Sequence, residues 1–270
     1  MTAKESAQEQ LRDHIARTYG SVRVGTAVIG AALPILLWVG GSLGDAESLR
    51  ASMSAYYHSP AMGDWFVGGL VATGALLYLY KGFSAAEDWL LNAAGVLVIG
   101  VAMVPTVPAS ASQDAGFTWH GALAVAFFVC IACVCIFRAS DTLSLIRDTA
   151  VARRFRAVYR LLGAGMLASP LIAVVFTLVF RSSTNESPLV FFVEAVAVWI
   201  FATYWLTKSW ELRRTRAEQL ALERKLRPAS IPTGVGPGRI VQIEPDLIPL
   251  RDWESVLAQE QAAAGPRKST

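Results

Sequence analysis

Apolar residues in this chain gather in six long blocks separated by short polar segments, a spacing that suits helices crossing a bilayer. A hydrocarbon core about 30 Å thick needs about 20 apolar residues at 1.5 Å rise each. The blocks run Val24 to Gly41, Trp65 to Tyr80, Trp89 to Pro105, Trp119 to Phe137, Val158 to Phe180 and Pro188 to Leu206. Pro34 and Pro170 fall inside the first and fifth, where a membrane helix tolerates proline. The second and third blocks are short, but interfacial aromatics flank both, so each spans with little tilt. Small residues recur within them (Gly68, Gly69 and Gly74; Gly95 and Gly100; Gly163 and Gly165), as close helix packing in lipid requires. The pattern predicts an all-α polytopic membrane protein, a bundle of six transmembrane helices.

Orientation follows from lysine and arginine in the short connections. Lys4, Arg12, Arg17 and Arg23 precede the first block, and Lys81 follows the second. Arg138, Arg147, Arg153, Arg154 and Arg156 follow the fourth, and Lys208, Arg213, Arg214 and Arg216 follow the sixth. The other connections hold only Arg50 and, at a boundary, Arg181. Both termini are therefore expected in the cytoplasm. Residues 1–22 read as an amphipathic cytoplasmic segment, too polar for a signal peptide, and 23–207 as the transmembrane domain. Residues 208–228 read as a charged cytoplasmic helix, its basic face near anionic headgroups or simply solvated. Residues 229–270 read as a flexible tail with a short strand and helix near RIVQIEPDLIPLRDWESVLAQEQ.

Composition sharpens this picture: 54% of residues are hydrophobic and 17% charged, against about 25% charged in soluble domains. A net charge of +3 is too small to argue for nucleic acid. Membrane lipids are the expected partners. Cys130, Cys133 and Cys135 share one apolar block. Their CxxC spacing admits a redox or metal reading, yet thiols in apolar surroundings are inert and pack as small hydrophobes.

Candidate chemistry concentrates at the outward face. His58 in the first outer loop, Asp64 at the start of the second block and His120 at the start of the fourth share one depth. Glu194, six residues past Pro188, lies roughly 9 Å along its helix. A carboxylate at that depth faces the bundle interior or a cavity by default, and Glu194→Leu is expected to be tolerated for stability. Ser54 lies one helical turn before His58. Three readings stand: a zinc site through His58, His120 and Asp64; a ligand-binding or proton-coupled pocket of Ser54, His58, Asp64, His120 and Glu194; or histidines that only hydrogen-bond within an aromatic belt. No cofactor is established by the sequence. At the cytoplasmic end Glu87, Asp88 and Asn92 open the third block, Asp88 and Asn92 on one face, and the helix dipole accounts for acids there.

The strings SMSAYYHSPAMGDWFVGGL, LYKGF, WLLNAAG, Pro105–Thr106, His120 before AVAFF, and VFFVEAVAVWIFATYWLTK resemble a family of uncharacterised bacterial six-helix integral membrane proteins over about residues 24–210. The resemblance implies a six-span fold and weight on Asp64, His120 and Glu194, with no activity. Ser54, His58 and Asp64 also resemble, more loosely, the Ser-x-x-x-His and Asp of alkaline ceramidase-like membrane hydrolases. The late His-x-x-x-His of those enzymes has no counterpart here, and they have seven spans. Two functions are thus carried forward: a non-enzymatic ligand-binding, sensing or transport protein, and a metal-dependent hydrolase of a lipid or amide.

Overall fold

In the computed structural model the described residues are 3–45, 49–106, 118–146, 148–179, 188–215, 217–218, 226–228 and 240–242. Each apolar block forms a helix: α1 (Ala3–Gly44), α2 (Gly63–Leu79), α3 (Ala85–Met103), α4 (Trp119–Cys133), α5 (Thr149–Val179) and α6 (Leu189–Thr215). Five regions are long and apolar enough to cross a membrane, and α2 is a shorter apolar helix. Helix α1 is continuous over 42 residues, so the N-terminal segment and the first block are one element.

Each helix packs against its neighbours in sequence, and α1 packs against α6, which closes the ring. Connections alternate between two ends. The basic end carries Arg23, the α2–α3 turn and the α4–α5 connection; the opposite end carries residues 49–62 and the α3 exit. At the basic end α4 continues into a π-helical turn (Val134–Arg138) and then a short 3-10 helix (Asp141–Leu145). At the opposite end lies a second 3-10 helix, Ser54–His58. The core joins Leu77, Leu91, Ile131, Tyr159 and Trp205, all at most 1% exposed, from α2 to α6. Large apolar side chains such as Leu161, Leu171 and Leu79 are exposed on the outer surface, the inverse of a soluble protein's surface and natural in lipid.

The C-terminal segment departs from expectation in where the charged helix stops. Helix α6 ends at Thr215, with Ala217 and Glu218 still helical, but Leu226–Pro228 is a strand paired antiparallel with Ile240–Gln242. The charged helix expected over 208–228 therefore stops before Leu226. Pro228 lacks a backbone N–H and cannot continue a helix, though it is tolerated at a strand end. The ribbon packs beside the 3-10 helix Asp141–Leu145. Within 229–270, Ile240–Gln242 is the short strand expected near RIVQIEP; the helix expected after it lies outside the described residues.

Candidate functional site

The opposite end is assembled by loop residues 49–62 folding over the helix ends. Asp45 is the anchor. Its carboxylate accepts from the Ser59 hydroxyl and from Ala61 N (3.0 Å), and Arg50 lies 3.7 Å away. Ser59 Oγ in turn accepts from Met62 N (2.9 Å), which fixes the entry into α2. The Ser59 hydroxyl first, then the Ala61 amide and Arg50, hold the Asp45 carboxyl below the usual carboxylate range. A depressed folded value contributes stability that is present above the unfolded pKa, about 4, and is lost as pH falls through the folded one. Loop 49–62 should thus loosen below about pH 4, read as faster amide exchange at Ala61 and Met62 after correction for the intrinsic rate. Asp45→Asn should flatten that dependence; an unchanged profile in Asp45→Asn would assign it elsewhere.

Glu194 projects from the first turns of α6 to the same loop. Its Oε2 accepts from Met53 N at 2.6 Å, and the Ser54 amide also bonds the carboxylate. The carboxylate thereby caps the 3-10 helix Ser54–His58, whose N-cap Met53 has no side-chain acceptor of its own, the arrangement a helix start needs. Phe191 N donates to Ala51 O (2.9 Å) beside it. This changes the expectation for Glu194→Leu. Leucine would strip two amides of their acceptor, at about 1–3 kcal/mol for a buried group left unsatisfied.

Both histidines reach the α3 exit. His58 Nε2 lies 2.8 Å from Thr106 O, and His120 Nδ1 3.0 Å from Val104 O. A carbonyl only accepts, so each of these ring nitrogens carries the proton. Thr106 Oγ1 donates to Ser54 O (3.3 Å) in the same cluster. Ser54 Oγ pairs with Ser52 Oγ at 3.0 Å rather than with His58, so it lacks the base that a nucleophilic serine requires. Asp64 is exposed in the first turn of α2, where the helix dipole favours a carboxylate. Among the described residues no three His, Cys, Asp or Glu side chains gather as metal ligands, those of His58, His120 and Asp64 included. The three cysteines are free thiols, Cys135 buried.

Behind Glu194 lies a groove between α4, α5 and α6 with a volume of about 570 Å³. Small residues make the space: Gly121, Ala122 and Ala126 on α4, Ala173 on α5 and Ala197 on α6. Among the described residues Glu194 is the single ionisable one on its wall. Pro170, also on the wall, cannot donate the i→i−4 bond to Met166. Val174 on the rim is exposed, so the groove opens sideways, toward lipid.

A second polar cluster lies buried at the basic end. Lys208 Nζ has three protons and three acceptors: Ala139 O (3.0 Å), Thr142 Oγ1 (2.8 Å) and Glu211 Oε2 (2.8 Å). Thr142 Oγ1 passes its own proton to Glu211 Oε1 (2.5 Å), and Tyr159 OH donates to Glu211 Oε2 (2.8 Å). Lys208 and Glu211 are 1% and 0% exposed. Glu87 faces Lys208 electrostatically from the α2–α3 turn. Ser84 and Glu87 form a variant of the capping box, Glu87 N donating to Ser84 Oγ (3.3 Å) and Phe83 N to Glu87 Oε2 (2.8 Å). Asp88 accepts from Gly82 N (2.6 Å) and lies 3.6 Å from Lys81. Asn92 Oδ1 is buried with no hydrogen-bond partner among the described residues. The core of the network, Lys208, Thr142, Tyr159 and Glu211, is fully bonded and joins α6 to α5 and to the α4–α5 connection, with Glu87 facing it from the start of α3, which makes it a latch rather than an open site.

Comparison with family models, with curated proteins and with solved structures returned no match. The functional reading therefore rests on the residues and their geometry.

Proposed function

We propose that the chain is a six-span protein of the bacterial inner membrane, both termini cytoplasmic, that binds an amphiphilic ligand without chemistry. Its site is the α4–α5–α6 groove. The observation that carries this reading is the Glu194 carboxylate, the one ionisable group among the described residues on the wall of a mainly apolar space of about 570 Å³, a size that suits a small ligand. An acyl or isoprenoid chain would lie along Ala122, Ala126 and Ala173, and a head that donates hydrogen bonds would meet Glu194. Met53 and Ser54 hold that carboxylate in place from the loop side, so ligand occupancy is coupled to loop 49–62. Such coupling serves sensing or transport alike.

Two features support the six-span topology. Helix α2 runs between the same two ends as α1 and α3 and packs against both, and its 17 residues reach about 25 Å. Lysine and arginine crowd the basic end, which the positive-inside rule assigns to the cytoplasm.

The test uses purified protein in detergent micelles with dodecylamine, dodecanol and dodecanoate as probes. Dodecylamine should bind most tightly. Glu194→Gln keeps an oxygen acceptor for the loop amides but removes the charge, and should weaken dodecylamine about 10-fold or more while leaving dodecanol near parity, from about 1.5–3 kcal/mol for a charged hydrogen bond. Ala126→Trp should fill the groove and remove binding of all three. Wild-type affinity for dodecylamine in Ala126→Trp would show that the groove is not the site.

A further inference from the structure

A cleft with charged residues on both walls lies at the other end of the molecule. It has a volume of about 680 Å³ between α1 and the end of α6, and nothing in the ligand reading uses it. Its α1 wall includes Asp13, Ala16, Arg17, Gly20, Arg23 and Val24, which recur at three- and four-residue steps along one helical face, with Ser21 beside them. Leu212, Arg213 and Glu218 form the other wall. The space exists because Ala16 and Gly20 offer no bulk there. A Cβ placed on Gly20 would already touch Arg23 Nη2 at 3.8 Å.

We infer that this cleft is a binding site for a phosphate-bearing anion, with Arg17 and Arg213 as the two rim cations that grip it. The charges are layered. Arg23, buried at the base, is held by Glu218, by Ser209 Oγ (3.3 Å) and by the Tyr80 ring (5.8 Å). Its charge is balanced within the protein, and it shapes the floor. Asp13 has its own interaction partner. Arg17 and Arg213 are exposed on opposite walls; Arg213 Nε donates to Ser209 O (3.3 Å), and neither guanidinium forms an ion pair with an acid among the described residues. Two guanidinium forks on facing walls suit phosphate oxygens better than a single carboxylate.

Position names the two sources of such an anion. The first apolar block starts at Val24 and the sixth ends at Leu206, about 9 Å below Leu212 along α6. The cleft therefore lies at headgroup level, where basic pockets between helices take anionic lipid heads. A soluble phosphate ester carries the same chemistry and could enter from the aqueous side.

The experiment compares the full chain with Arg17→Gln/Arg213→Gln and with a control, Arg153→Gln/Arg154→Gln, which removes two exposed arginines from α5 near the same end. One arm reconstitutes each protein in nanodiscs of phosphatidylcholine with one-fifth phosphatidylglycerol and counts retained phosphatidylglycerol by native mass spectrometry. The other titrates detergent-solubilised protein with glycerol 3-phosphate by calorimetry. At least a 10-fold loss of retained phosphatidylglycerol in the rim variant, with the control at wild-type level, supports the site and a lipid source. Binding of glycerol 3-phosphate that the rim variant alone loses supports the site and a soluble source. Equal retention in all three proteins, equal loss in both variants, or no binding in either arm overturns the inference. Because neither rim arginine is buried, the fold is kept, and a melting curve matching the parent checks this.

Discussion

Replacing Lys208 with Met is expected to lower the unfolding free energy of the purified protein by about 3–5 kcal/mol, the usual cost of removing one partner of a buried ion pair. The ammonium is 1% exposed and all three of its protons are bonded. Methionine would fill the volume but leave Glu211 buried with only Tyr159 and Thr142 as donors. It would also remove the cation that Glu87 faces. Glu87 and Glu211, which repel each other, would then share one buried cluster without the ammonium between them. Lys208→Met/Glu211→Gln removes both charges and keeps an amide that can still bond Tyr159 and Thr142. It should recover more than half of the loss, since a buried pair is often replaceable as a unit while half of it is not. Chemical denaturation in mixed micelles measures the three proteins. A Lys208→Met variant within about 1 kcal/mol of the parent would mean that the pair adds nothing as a latch.

That latch was only partly legible in the sequence. The six apolar blocks predicted the helices because a membrane span must be long and apolar, and Glu87 and Asp88 stood where the third helix's dipole favours acids. Lys208 was read as one of the positive charges that follow the sixth span, which is correct as far as hydropathy reaches. What that reading missed is periodicity. Phe201, Tyr204, Trp205, Lys208, Glu211 and Leu212 are all buried, spaced by three or four residues with adjacent pairs, so the inward face of α6 continues past the apolar block. Lys208 and Glu211 on that face at i, i+3 were the available signal. Arg23 repeats it on α1, in line with the buried Ala27 and Leu37. The acceptors on the α4–α5 connection had no signal, because a loop's path is set by tertiary packing.

At the opposite end depth was legible and direction was not. His58 and His120 do meet one short segment, Val104 to Thr106, because the α3 exit lies at their level. Their partners are backbone carbonyls, which no side-chain pattern could announce. Asp64 has the right depth but an exposed direction on α2, whereas Phe66 two residues on is buried. Successive helical residues differ by about 100° around the axis, so a shared depth cannot gather side chains by itself. Glu194 was legible as a carboxylate where lipid forbids an idle one. Its capping of Ser54–His58 was hidden, since a five-residue 3-10 helix has no periodicity to read.

At the close α2–α3 crossing, Gly95→Ala should destabilise the bundle by about 1–3 kcal/mol, while Gly68→Ala on the adjacent helix should be neutral or mildly stabilising. Alanine is favoured over glycine within a helix by about 1 kcal/mol, so propensity alone would stabilise both variants. Space decides otherwise at one of them. A Cβ on Gly95 would stand 2.7 Å from Gly74 O and 3.2 Å from Tyr78 N, and a Cβ on Gly74 would stand 2.7 Å from Gly95 O. These neighbours are backbone atoms of α2 and α3, and no rotamer change can move them. The helices themselves must separate, with the strain that overpacking brings and the loss of close backbone approach on which membrane packing depends. Around Gly68 nothing lies within 4 Å, so the added methyl meets only lipid or open space. Separation at Gly95 would also shift the α2–α3 turn that presents Glu87 to Lys208, so Gly95→Ala in a Lys208→Met background should cost less than in the parent. A thermal or denaturant series of these four proteins decides it: equal effects at Gly68 and Gly95 would refute the close α2–α3 crossing, and strict additivity with Lys208→Met would uncouple the crossing from the latch.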